Sequence, residues 1–201
     1  MNNAELFHRW ANRVKGKGKS GNVFYEGPIL YSYGHHFPLA VLTGKAAPNG
    51  REIVLVNSRS YSMTTAKHKS LAVRASSHKA HIYVPHPDRP CPEDLAYLND
   101  ETAKACARLK GIRSGVDRAE ENARNCVAAA KVYRSKFLKG RGHVHALPKD
   151  FDALLTAARA REERHTTKSR ERDEKRETER QARRDKERED AETAIARWRD
   201  G

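Results

Sequence analysis

Four prolines fall within eight residues, at Pro85, Pro87, Pro90 and Pro92. Neither a helix nor an inner strand passes through such a stretch, because each proline fixes φ and lacks an N–H. The chain is therefore divided in two. Before the prolines lie dense β-branched and aromatic runs, at 29–33, 37–43 and 52–56. After them the pattern is helical and increasingly charged. With 37% hydrophobic and 33% charged residues among 201, a core cannot extend over the whole length. A compact part followed by an extended charged part fits better.

In the first part, Leu6, Phe7, Trp10 and Val14 recur at helical spacing and predict a short helix over 3–14 that docks on the domain. Residues 14–21 read Val-Lys-Gly-Lys-Gly-Lys-Ser-Gly and predict a flexible basic arm. Gly18-Lys19-Ser20 invites a phosphate-loop reading, but Arg13 stands where that motif needs a glycine, and no apolar strand precedes it. From Val23 onward the period changes. Residues 23–25, 29–33, 37–43 and 52–56, separated by turn sequences such as Glu26-Gly27-Pro28, predict a meander of about four short antiparallel strands. Thr64 or Thr65 can cap a helix over 66–76, and His81–Val84 reads as a last strand.

In the second part, steps of three and four from Leu95 reach Leu98, Thr102, Ala105, Leu109, Ile112, Val116, Ala119, Ala123, Cys126, Ala130, Tyr133 and Phe137. That heptad seam predicts one long coiled-coil-like helix over 91–140, loosened at Gly111 and Gly115. Leu95, Leu98, Leu109, Ile112, Val116, Tyr133 and Phe137 would carry oligomerisation. Gly140–Gly142 breaks the helix, and a second begins near 148 with a short stripe of Phe151, Leu154, Leu155 and Ala158. From Arg164 to Asp190 the only apolar residue is Ala182, and acid–base pairs four apart are frequent. A solvated single α-helix follows, each pair contributing roughly 0.2–0.5 kcal/mol. Ala191, Ile195 and Trp198 form an apolar tip. The fold class is α+β: a small basic β-meander domain with a short helix over 1–90, then long helices over 91–140 and 148–201.

The formal net charge is +14. Residues 1–90 carry 13 basic against 4 acidic residues, residues 91–150 carry 12 against 8, and residues 151–201 carry 15 against 14. The tail looks basic but is nearly neutral. The excess sits on the first domain, which points to an anionic partner there. Lys15, Lys17, Lys19, Lys67, Lys69 and Arg74 are the candidate phosphate contacts. Tyr31 and Tyr33, two apart on one strand, offer a stacking platform with Phe37 and Tyr61. Thr64, Thr65 and His68 at a helix start suit an anion.

Catalytic patterns are weak by comparison. Seven of ten histidines fall in the first 86 residues, yet carboxylates are scarce there and no His-Glu-x-x-His occurs. His143-x-His145 is a lesser pairing. A serine triad lacks its local acid. Cys91, Cys106 and Cys126 are odd in number and unpaired in spacing, against a disulfide framework or a zinc finger. The expectation is no metal, no cofactor and no catalytic residues.

Tyr31-Ser-Tyr-Gly-His-His-Phe-Pro-Leu-Ala, then Asn57, then Tyr61-Ser-Met-Thr-Thr-Ala-Lys-His resembles a group of uncharacterised bacteriophage and mobile-element proteins. They share a YSYG-x-x-FP…N…YS-x-TT-x-x-H domain of unknown function, matched here over roughly residues 8–76. The resemblance implies a phage setting and assigns no catalytic residues. The expected function is a non-enzymatic, basic nucleic-acid-binding accessory protein, acting on DNA or RNA without sequence readout and forming homo-oligomers through its helices. A structural or scaffolding protein of a phage particle is the alternative, and a histidine-dependent nuclease ranks third. No membrane span or signal sequence is recognisable, so the expected location is the host cytoplasm or the virion.

Overall fold

The computed structural model describes residues 2–200. The fold is α+β, with elements α1 (Asn3–Ala11), β1 (Lys17–Ser20), β2 (Val23–Glu26), β3 (Ile29–Ser32), β4 (Pro38–Ala46), β5 (Glu52–Asn57), α2 (Met63–Ala75), β6 (Ala80–Val84), α3 (Pro92–Arg108), α4 (Val116–Phe137) and α5 (Phe151–Asp200). The chain forms two compact units, Met1–Ala107 with Glu121–Pro148, and Arg108–Glu120 with Lys149–Gly201. Among the described residues, no helix is long and apolar enough to cross a membrane.

The first unit is built on one six-stranded sheet in the order β1-β2-β3-β4-β5-β6. β1 to β5 form the expected antiparallel meander, and α2 crosses over to bring β6 parallel to β5. The strand that sequence reasoning did not foresee is β1. Residues 17–20 are a paired edge strand, not a mobile arm. Gly21-Asn22 is a two-residue hairpin turn joining Ser20 to its partner Val23, and Gly21 takes the left-handed φ of +56°.

One face of the sheet is fully covered. Leu6, Phe7, Trp10 and Ala11 of α1, with Ala72 and Ala75 of α2, pack on Val23, Tyr25, Leu30, Leu39, Leu42, Val54 and Val56. Trp10 Nε1 also donates to the Pro28 carbonyl at 2.9 Å, which fixes α1 over the β2–β3 turn. The opposite face is covered only at one side. There Ile53, Leu55, Ile82 and Val84 of β5 and β6 meet Leu95 and Leu98 of α3 and Ala130 and Tyr133 of α4. Outward residues of β2 and β3 (Phe24, Glu26, Ile29 and Tyr31) are left half-buried.

The single heptad helix over 91–140 is in fact two helices, α3 and α4, separated by 109–115. Gly115 has φ +73°, a left-handed conformation that an α-helix interior does not contain. The interruption is one heptad long, so the apolar spacing runs through it undisturbed. Most of the residues expected to carry oligomerisation are buried within the chain itself. Leu95, Leu98, Leu109, Val116 and Tyr133 are buried, at most 5% exposed, and Ile112 and Phe137 are half-buried. Of these, Leu95, Leu98 and Tyr133 pack on Ile53, Leu55, Ile82 and Val84 of the sheet.

In the second unit the first turns of α5 are tied to residues 108–120. Gly115 N–H donates to Glu162 Oε1 at 2.5 Å, Arg161 donates to the Leu109 carbonyl at 2.5 Å, and Arg159 reaches Glu120 at 2.9 Å and Asp117 at 3.2 Å. α5 is 50 residues long, about 75 Å at 1.5 Å per residue. Past residue 169 its described side chains are exposed. Arg170–Glu174 at 2.8 Å, Arg183–Glu187 at 3.4 Å and Lys175–Glu179 at 4.0 Å are formed as the sequence pattern requires. Ile195 and Trp198 are exposed at its end, Trp198 by 83%.

Candidate nucleic-acid interface

The uncovered half of the sheet is where aromatic and basic side chains converge. Strand register puts Lys19 opposite Phe24 and Phe24 opposite Tyr31, so all three share one face. One pair further along, Lys17 stands opposite Glu26, which stands opposite Ile29. Phe24 and Tyr31 stack with centroids 5.0 Å apart and planes 20° from parallel. His35, from the turn after β3, sets its ring 4.9 Å from each of them. A cavity of about 510 Å³ opens here, lined by Lys17, Lys19, Phe24, Glu26, Gly34 and His35 among others.

The electrostatics of this face centre on Glu26. Its carboxylate accepts a hydrogen bond from Lys17 Nζ at 3.1 Å and faces His35 Nε2 at 3.3 Å. The bond from Lys17, then that from His35, holds the carboxyl below its ordinary range. Burial, followed by the charges of Glu26 and Asp88, pushes the Tyr31 hydroxyl up.

The structure redistributes the other candidate residues. Lys15, Lys17, Lys19, Lys67 and Arg74 are exposed, Lys17 with its ammonium on Glu26. Lys69 is not. Its ammonium donates to the carbonyls of Asn57, Ser58 and Arg59 at 3.1 to 3.3 Å and to Ser60 Oγ at 2.7 Å, holding the loop after β5 in place. Burial lowers its pKa. The start of α2 is likewise closed by its own capping box. Thr65 N–H donates to Ser62 Oγ at 3.2 Å, and Ser62 N–H donates to Thr65 Oγ1 at 3.0 Å. The cap is Ser62, not Thr64 or Thr65; Thr65 is 4% exposed, while Thr64 faces solvent. His68 is buried, with Nδ1 2.9 Å from the buried Ser32 Oγ.

Tyr31 and Tyr33 do not share a face. The strand ends at Ser32, and Tyr33 has φ +65°, a rare conformation for a side-chain-bearing residue. Its ring turns toward His68, 6.2 Å away, and is 52% exposed. Phe37 is buried against Tyr61 in an edge contact at 5.1 Å. The true partner of Tyr31 is Phe24, and the sequence carried a signal for it. Ser20-Gly21-Asn22-Val23 is a two-residue hairpin pattern, and folding it places Lys19 beside Phe24.

A second cluster escaped the sequence reading because it spans the proline boundary. His86 Nδ1 lies 3.0 Å from Asp94 Oδ1 and 3.6 Å from Cys91 Sγ. Asp94 is fully buried, and its Oδ2 accepts from Tyr133 Oη at 2.7 Å. Comparison with protein-family models, curated proteins and solved structures returns no match for this chain.

Proposed function

We propose that this protein binds single-stranded nucleic acid on the uncovered half of its sheet, as a non-enzymatic accessory factor in a phage or mobile-element setting. The observation that carries this reading is the stacked Phe24–Tyr31 pair, half-exposed on an antiparallel sheet and flanked by Lys17 and Lys19 of the edge strand. Flat rings offer any base a stacking surface worth about 1–3 kcal/mol, and lysines beside them neutralise phosphates without reading sequence. A duplex hides its base faces, so this arrangement favours unpaired strands. The local charge excess of residues 1–90 draws a polyanion to this unit.

The direct test is binding of the full chain to labelled homopolymer DNA and RNA, single-stranded and duplex, at equal length. Tighter binding to single strands is expected. Equal or stronger binding to duplex would remove the stacking pair from the function.

A further inference from the structure

We infer that His86, Cys91 and Asp94 form a binding site for a divalent transition metal of the zinc type. All three come from the proline-rich strap between β6 and the first turn of α3, and their potential ligand atoms lie within 4.8 Å of one another. A tetrahedral zinc, with bonds near 2.0–2.1 Å to nitrogen and 2.3 Å to sulfur, holds neighbouring ligand atoms about 3.3–3.6 Å apart. The observed separations, 3.6 Å between Cys91 Sγ and His86 Nδ1 and 3.0 Å between His86 Nδ1 and Asp94 Oδ1, need only small adjustments. Mixed imidazole, thiolate and carboxylate donors suit zinc or cobalt rather than magnesium or calcium.

Charge supplies an independent argument. Asp94 is fully buried, and its contacts are the His86 backbone N–H at 3.1 Å, the His86 ring and the Tyr133 hydroxyl. Among the described residues no lysine or arginine pairs with it. Arg59 donates instead to His86 Nε2 at 3.1 Å. A guanidinium can only donate, so Nε2 is the accepting nitrogen in this contact. The positive end of α3 offsets roughly half a charge. A buried carboxylate is otherwise paired with a cation or bound to a metal. A dication at this point would pair with the buried Asp94 carboxylate.

The outer contacts are also those of a metal site. Tyr133 Oη donates to the free oxygen of Asp94 and accepts from Cys91 N–H at 3.0 Å, so one residue of α4 orients two of the ligands. Three protein ligands leave a fourth position for water, and His86 and Cys91 are partly exposed. Arg59 works against the metal. With Nδ1 bound to the ion, Nε2 must carry the proton, and the exposed Arg59 has to swing away.

The test is titration of the full chain, stripped with chelator, with Co²⁺ alone and then competition by Zn²⁺. One equivalent of Co²⁺ is expected to give tetrahedral visible bands and a thiolate charge-transfer band. Cys91→Ser and His86→Ala should weaken binding by about 100-fold or more, beyond the loss typical of an outer-contact change. The double variant Cys106→Ser/Cys126→Ser should leave it intact. Arg59→Ala keeps every ligand and should tighten binding by about tenfold. No thiolate band in either the unsubstituted chain or Arg59→Ala overturns the site, as does a band that survives Cys91→Ser.

Discussion

Ser32 Oγ lies 2.9 Å from His68 Nδ1, joining the end of β3 to the middle of α2 beneath the sheet's covered face. Both are buried, and burial lowers the His68 pKa from its ordinary 6.5. The unfolded chain therefore binds the proton more readily than the native one. This contribution is complete above about pH 6.5 and is lost as pH falls through the lower native value. His81, lowered by burial and then by His78, acts in the same direction. Thermal melts should show stability declining from pH 7 to 5. His68→Asn, which keeps a hydrogen-bonding atom at the Nδ1 position, should flatten part of that slope. An unchanged slope would mean that folding does not alter the proton affinity of His68.

Glu52 at the start of β5 gathers Arg13, Lys79 at 2.7 Å and the Gly44 N–H at 2.9 Å. Burial works to raise its pKa, but these three partners outweigh it and hold the carboxyl at about 2. The stabilisation it brings is full above the ordinary 4.5 and is lost as pH falls from there toward about 2. Glu52→Gln leaves Lys79, only 11% exposed, without its partner and should cost about 1–3 kcal/mol at pH 7. Urea unfolding at pH 7 and pH 3 measures both effects, and the gap between variant and parent should narrow at the lower pH.

Leu98 decides between the two uses of the heptad seam. It packs with Ile53, Ile82 and Tyr133 inside one chain, so Leu98→Ala should lower stability by about 2–5 kcal/mol. Sedimentation velocity should report the same mass before and after the substitution. A stable parent oligomer that falls apart in Leu98→Ala, with the fold intact, would restore the intermolecular seam.

The meander, the helix α2 and the charged rod are legible because each has a local signature: period-two apolar runs bounded by turns, a helical stripe after a run of hydroxyls, and acid–base pairs four apart; the parallel pairing of β6 with β5 has none. The break between α3 and α4 is not legible, since a seven-residue interruption preserves a seven-residue spacing. What covers an apolar stripe is a tertiary fact. Leu95 and Tyr133 look equally ready for a partner chain or for Ile53 and Val84. At the interface, Lys17, Lys19 and Tyr31 were visible as residue types. Phe24 escapes that reading because Gly21, the first residue of the hairpin turn, reads as the end of a flexible arm over 14–21. Lys69 looked like a phosphate ligand until the carbonyls of 57–59 claimed it.

Glu26 is the acid in the middle of the basic face, and it holds Lys17 at 3.1 Å. A phosphate bound here would displace it. Glu26→Gln frees Lys17 and removes one like charge from the path of the backbone, so single-stranded binding should tighten several-fold at low salt. Anisotropy titrations at two salt concentrations check this, and weaker binding would place the strand elsewhere.

The most direct test of the interface separates stacking from charge. Affinity of the full chain for a labelled single-stranded oligonucleotide is measured across a salt series for the parent, for Phe24→Ala and for Lys17→Ala/Lys19→Ala. Loss of the ring should lower affinity by about 1–3 kcal/mol at every salt concentration, with the slope of log affinity against log salt unchanged. Loss of the two lysines should reduce that slope by about 1.4. Affinities of both variants that follow the parent at all salt concentrations would contradict nucleic-acid binding on this face of the sheet.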